Sequence, residues 1–152
     1  MNQAVGALPE ASPEAGRSIP WADLSAAPLQ GHLLSNGTYH TLITATGSGF
    51  SECAGQALTR WRADRIEDGQ GLFIYLRDLD RDRLWSAGHE PVRRRPDRYR
   101  AEFGAGRAAI LRSDDGIDSS LEIAVLAEAP GEVRRLTLHN ASPLPRRLEV
   151  TT

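Results

Sequence analysis

The dipeptide Asp115-Gly116 constrains this chain more than any other feature. It sits between Arg107–Arg112 and Ile117–Ala127, two stretches that read as strands. A two-residue hairpin loop takes a type I′ or II′ turn, because only these match the right-handed twist of paired strands. Type I′ needs positive φ at both loop positions, which Asp-Gly tolerates. Beyond the turn, Ile117, Leu121, Ile123 and Val125 alternate with Asp118, Ser120 and Glu122. A period of two places these sets on opposite faces of one strand. An antiparallel hairpin with one buried face is therefore predicted here.

Further strand-like pieces lie on both sides. Tyr39–Thr46 is rich in Thr and β-branched residues, and Leu72–Arg77 and Arg83–Ala87 are compact candidates. Arg98–Phe103 sets Tyr99, Ala101 and Phe103 against Arg98, Arg100 and Glu102, and Leu136/Leu138 and Leu148/Val150 repeat the alternation. Strands thus recur every 8 to 15 residues, with no helical pattern of 10 or more. Ala54–Ala63 comes nearest to one and reads as strand or irregular. This spacing predicts an all-β, antiparallel sandwich over residues 31–152 rather than βαβ units. The alternation of Arg147–Thr152 runs to the last residue. That reads as a sandwich incomplete at its C-terminus, with an unpaired edge open to another chain. Residues 1–30 hold four of the nine prolines and no apolar period, and read as a flexible leader or linker. Within them, Trp21 and Leu24 either form one short turn docked on the domain or belong to a disordered tail.

Composition excludes several classes. No run of about 18 apolar residues exists, so no membrane-spanning helix or direct membrane insertion is expected. No secretory signal is visible, which points to the cytoplasm. One cysteine, Cys53, excludes an internal disulfide framework and reads as a small buried hydrophobe. A net charge of −2 argues against a nucleic-acid partner. All 18 basic residues are arginine, so arginine does the surface work usually shared with lysine. Pro91–Arg112 carries a local net charge of +5 and reads as an exposed loop bounded by Pro91 and Pro96.

The motifs that suggest chemistry fail on their spacing. Asp78, Asp80 and Asp82 resemble the start of a calcium loop, but Arg83 stands where Gly is needed and His89 where Glu is needed. A charged hairpin turn is the expectation. Gly47-Ser48-Gly49 lacks the third glycine and the helix of a dinucleotide loop, and reads as a turn with positive φ. The four histidines lack metal-ligand spacing, and no nucleophile elbow is present. No catalytic residue, metal or cofactor is assigned. Trp61 and Trp85, flanked by Arg60, Arg62, Asp64 and Arg83, combine ring faces with planar polar groups, as carbohydrate sites do. Both tryptophans also fit a sandwich core.

Several segments in order carry a resemblance: Leu33-Leu34-Ser35-Asn36-Gly37-Thr38-Tyr39, Gly47-Ser48-Gly49-Phe50-Ser51, Leu58-Thr59-Arg60-Trp61-Arg62 with Asp64, Tyr75-Leu76-Arg77-Asp78, Trp85-Ser86-Ala87-Gly88 and Leu136-Thr137-Leu138. Together they resemble the start of the phosphorylase-like region of bacterial cyclic β-1,2-glucan synthases. That region belongs to glycoside hydrolase family 94, formerly glycosyltransferase family 36, with the cellobiose and chitobiose phosphorylases. The resemblance covers roughly residues 31–152. Thr38, Ala63, Gln70 and His89-Glu90 depart from the pattern.

The resemblance implies a galactose-mutarotase-like supersandwich that precedes an (α/α)₆ barrel. The barrel carries the catalytic acid and most of the phosphate site, and nothing in this chain matches it. The implied role is a non-catalytic sandwich domain packed on that barrel, in a parent synthase associated with the inner membrane. The implied partners are the barrel and a β-glucan or gluco-oligosaccharide, with Trp61, Arg60, Arg62 and Asp64 as candidate sugar contacts. A free-standing carbohydrate-binding sandwich is the alternative.

Overall fold

The computed structural model of the chain describes residues 16–24, 30–60 and 69–152. In chain order the elements are β1 (Arg17–Pro20), α1 (Trp21–Leu24), β2 (Gly31–Ser35), β3 (Tyr39–Thr44), β4 (Gly49–Cys53), β5 (Gln56–Ala57) and β6 (Tyr75–Asp78). They continue with β7 (Arg83–Ser86), β8 (Arg98–Gly104), β9 (Arg107–Asp114), β10 (Ile117–Val125), β11 (Glu132–Asn140) and β12 (Leu148–Thr151). Every pairing is antiparallel. The strands form a five-stranded sheet (β1-β8-β9-β10-β11), a four-stranded sheet (β2-β3-β4-β5) and a three-stranded sheet (β12-β6-β7).

The Asp115-Gly116 hairpin forms as predicted. Asp114 faces Ile117, and both loop residues have positive φ, 50° at Asp115 and 84° at Gly116. On β10, Ile117, Ser119, Leu121 and Ile123 are buried, while Asp118, Ser120 and Glu122 are only partly covered. The β3–β4 hairpin uses the glycines read as turn formers. Gly47 has φ 92° and Gly49 φ 151°, and a Cβ on Gly49 would sit 1.7 Å from the Leu42 carbonyl oxygen. The Asp-rich segment is the β6–β7 turn. The Asp78 carboxylate accepts hydrogen bonds from the amides of Asp80 (3.0 Å) and Arg81 (3.1 Å).

One core joins the three sheets. The four-stranded sheet contributes Leu34 and Ile43, the three-stranded sheet Leu76 and Trp85. The five-stranded sheet contributes Ala101, Phe103, Ile110, Ile117, Leu121 and Ile123. Tyr99 ties the layers by donating its hydroxyl to the Ala45 carbonyl at 2.7 Å.

Several expectations change. Gly16–Leu24, inside the segment read as a leader, is built into the sandwich. β1 pairs with β8 and buries Ile19, while Trp21–Leu24 forms the docked short turn, one of its two expected alternatives, as α1, with the Trp21 ring edge-on to His89 and Tyr99. Four residues with a single buried apolar side chain carry too little periodicity to show in a sequence. The strand expected at Leu72–Arg77 begins only at Tyr75, because the Leu72 carbonyl accepts from Arg134 instead of a neighbouring strand. Cys53 is only partly buried. Within Ala54–Ala63, β5 is a two-residue strand, Leu58–Arg60 is irregular, and 61–63 lie outside the described residues.

Candidate functional site

Of the residues singled out for carbohydrate contact, Trp61, Arg62 and Asp64 lie outside the described residues. Arg60 is described and exposed. Both flanks of 61–68 are fastened to β4. On one side the Thr59 hydroxyl accepts from the Ser51 amide at 2.9 Å, and Leu58 donates its amide to the Ser51 carbonyl at 2.8 Å. On the other side the Gln70 carbonyl accepts from the Gly49 amide at 2.8 Å. The chain therefore leaves and returns within a few residues of one strand. Trp85, the other tryptophan considered for sugar, is fully buried in the core. It sits on the inner face of β7 opposite Leu76, so its ring offers no face to a ligand.

The same β4 residue opens a polar network that the sequence reading did not find. Ser51 donates its hydroxyl to Glu132 at 3.0 Å, and Arg134 donates Nε to Glu132 at 2.6 Å and Nη1 to the Leu72 carbonyl at 2.7 Å. Burial alone would raise the Glu132 carboxyl. The charge and hydrogen bond of Arg134, with hydroxyls from Thr41 and Ser51, outweigh it and hold the group below the usual carboxylate range. Tyr39 is pushed the other way, above the usual phenol value, by burial and by the Glu132 charge. Arg134 borders a surface cavity of about 510 Å³, with Leu72, Phe73, Tyr75 and Thr152. The inner-face alternation of β11, in which Glu132 and Arg134 precede Leu136 and Leu138, is the signal that could have found this pair.

A second pair was also missed. Arg112 on β9 has no exposed surface. It donates Nε to Asp114 at 2.5 Å, Nη1 to the Gly88 carbonyl at 2.6 Å and Nη2 to the Arg94 carbonyl at 2.9 Å. Burial raises the Asp114 carboxyl above its ordinary value, more than Arg112 and Arg94 pull it down. This pair pins the loop that contains the arginine cluster. Arg93 is bonded to Glu90, Arg94 to Asp115, Arg98 to Asp118 and Arg100 to Glu102. Most of the apparent +5 is thus neutralised within the domain. The Asp-rich turn is closed in the same way, with Arg146 on Asp78 and Arg147 on Asp80.

Among the described residues, no three His, Cys, Asp or Glu side chains stand together as a metal site, and no helix is long and apolar enough to cross a membrane. Three antiparallel sheets around one core, with polar networks confined to its margins, define a β-supersandwich domain. The chain belongs to the glycosyl hydrolase 94 supersandwich domain family, whose model matches residues 25–152. It is 39% identical over 120 residues to the cyclic beta-(1,2)-glucan synthase NdvB of Rhizobium meliloti, covering 79% of this chain and 4% of that protein. It is 30% identical over 120 residues to a 3-O-beta-D-glucopyranosyl-beta-D-glucuronide phosphorylase of Paenibacillus borealis, covering 78% of this chain and 15% of that one. It is 34% identical over 82 residues to the solabiose phosphorylase of the same organism, covering 54% of this chain and 11% of that one. The chain thus spans a small fraction of the length of each of these relatives.

Proposed function

We propose that this chain is a non-catalytic sandwich domain of a carbohydrate-active glucan synthase or phosphorylase. In this reading it packs on a catalytic (α/α)₆ barrel and presents the Arg60–Asp64 segment to a β-glucan. The observation that carries the reading is the family match across residues 25–152. The fastening of both flanks of 61–68 to β4 supports placing the sugar contact there. Arg60 and Arg62 would donate to sugar hydroxyls, Asp64 would accept, and Trp61 would offer a ring face to the sugar C–H surface. Many of the described acids and bases are engaged in structural pairs, among them Arg93–Glu90, Arg112–Asp114 and Arg134–Glu132. Phosphorolysis needs an acid on the glycosidic oxygen and a cradle for phosphate, and this reading leaves both to the barrel.

Two assays on the pure chain test it. Incubation with β-glucosides and inorganic phosphate should release no sugar phosphate, and measurable phosphorolysis would overturn the non-catalytic assignment. Titration with β-1,2-gluco-oligosaccharides should quench tryptophan fluorescence. The quench should weaken in Trp61→Ala and Arg60→Ala. An unchanged spectrum up to millimolar sugar would remove the sugar contact from the proposal.

A further inference from the structure

The turn between β2 and β3 gathers the parts of an acyl-transfer reaction around one side-chain amide. Asn36 opens this turn, and Gly37 follows it with φ 91°. Oδ1 of Asn36 accepts from the backbone amides of Thr38 at 3.0 Å and Tyr39 at 2.8 Å. Nδ2 donates to the carbonyls of Leu126 at 2.8 Å and Ala129 at 2.9 Å. With two donors at one end and two acceptors at the other, the partners fix which end is oxygen and which is nitrogen. Asn36 thereby clasps the β10–β11 loop to the β2–β3 turn. Two amides aimed at Oδ1 are also the arrangement that stabilises charge developing on a carbonyl oxygen.

The next amide along the chain, Gly37 N–H, donates to the Ser35 hydroxyl at 3.0 Å. Ser35 Oγ in turn lies 2.7 Å from His40 Nδ1. Since Oγ already accepts from Gly37, its own proton is directed at the imidazole, and Nδ1 accepts it. A base, a hydroxyl and a backbone N–H thus form one chain, the pattern of an activated nucleophile. Gly37 N can close on Asn36 Cγ as a succinimide ring through N, C, Cα, Cβ and Cγ. Glycine presents no Cβ to obstruct that closure, and the space around Gly37 is open. Asn140 provides the contrast within the same chain. Its Oδ1 also accepts a backbone amide, that of Ser142 at 3.0 Å. The following amide, Ala141 N–H, donates instead to the Gly116 carbonyl at 2.9 Å, which has no proton of its own to pass on.

We propose that Asn36 is a self-deamidating residue: Gly37 N is the nucleophile, Ser35 and His40 relay its proton, and the reaction opens the clasp on the β10–β11 loop. The bond from Gly37 N to Asn36 Cγ forms as the amide proton passes to Ser35 Oγ, whose own proton moves to His40 Nδ1. The Thr38 and Tyr39 amides hold the negative charge that develops on Oδ1. The Cγ–Nδ2 bond then breaks. Nδ2 takes a proton from water and leaves as ammonia, and the hydroxide so formed recovers the proton of the imidazolium. Water finally adds at either succinimide carbonyl, leaving aspartate or isoaspartate at position 36. Both products replace two N–H donors with carboxylate oxygens. The Leu126 and Ala129 carbonyls then face acceptors instead of donors, and the clasp is lost.

Incubation of the 152-residue chain at neutral pH tests this, with the tryptic peptides 18–60 and 136–146 followed by chromatography and mass spectrometry. We expect aspartate and isoaspartate to accumulate at Asn36 while Asn140 stays intact. Ser35→Ala and His40→Ala should slow the change several-fold, and Ser35→Thr, which keeps the hydroxyl, should restore the rate. A rate indifferent to both alanine variants, or an Asn36 that outlasts Asn140, would overturn the proposal. The parent chain unfolded in urea gives the rate of the bare sequence and decides the matter even if a variant fails to fold. The folded chain should convert Asn36 faster than the unfolded one. A slower folded rate would mean that the clasp protects the amide, and the relay would be refuted. Hydrogen exchange on Asn36→Asp tests the consequence. The amides of Leu126 and Gly131, each bonded within the loop at 2.9 Å, should lose protection while those of Leu121 and Ile123 keep theirs. Unchanged protection of the loop would remove its release from the proposal.

Discussion

The inner face of the five-stranded sheet carries an arginine–carboxylate pair at each end, and the two ends are held differently. At the β9–β10 hairpin end, Arg112 and Asp114 are sealed from solvent, at 0% and 2% side-chain exposure. At the opposite end, Arg134 and Glu132 stand beside the cavity, at 14% and 7%. Their carboxyl groups shift in opposite directions. Asp114 depends mainly on Arg112 and is raised by burial, whereas Glu132 has the Ser51 hydroxyl besides Arg134 and is lowered. Depth sets the desolvation cost, and the balance of that cost against the neighbouring charge and hydrogen bonds decides whether the carboxylate is stable as an anion. One end is a structural clamp, and the other is a polar margin at the open side of the sandwich.

Breaking the sealed pair should have the largest effect. Arg112→Ala leaves Asp114 buried without its cation and frees the Gly88 and Arg94 carbonyls. We expect a loss of about 3–5 kcal/mol in urea unfolding. A loss no greater than that of Arg134→Ala would erase the distinction between the ends. Arg134→Ala should cost less, about 1–3 kcal/mol, because Ser51 still donates to Glu132.

The pH dependence sharpens the contrast. Glu132 is lowered in the folded state, so its ionisation stabilises the fold above the unfolded value, about pH 4.3. That contribution is lost as pH falls through the folded value. Asp114 is raised, so its contribution runs the other way and is lost as pH rises from about 3.9 through its folded value. Glu132→Gln should therefore destabilise at neutral pH, with the difference from the parent chain shrinking in acid. A difference independent of pH would show that Glu132 acts through packing alone. The smallest effect belongs to Arg60→Ala. We expect a change within about 0.5 kcal/mol in thermal unfolding, since the side chain is exposed.

The sequence made the β8–β11 region legible because one face there is buried and the other is not. Alternation then registers directly, and Asp-Gly fixes the turn. Where strands are short, the pattern has no room to appear. β1 has only Ile19 to bury, and β5 has two residues. The polar networks were hidden for another reason. In a chain without lysine, Arg112 and Arg134 look like any surface arginine. Each nevertheless extends the inward set of its strand, Arg112 after Ala108 and Ile110, Arg134 before Leu136 and Leu138. Following the face rather than the residue type would have exposed both. Trp85 followed its face into the core, whereas the Arg60–Asp64 segment has no such period to test.

The connectivity of the five-stranded sheet also bears on how the chain reaches its fold. Strands β8 to β11 are joined in sequence order by short turns, so each pairing closes a small loop at low entropic cost. The β1–β8 and β6–β12 pairings instead unite segments separated by roughly half the chain, which makes them slow to find. The meander is thus the part of the molecule able to assemble early from neighbouring residues. The N-terminal strand and the three-stranded sheet would then dock onto a surface already in place.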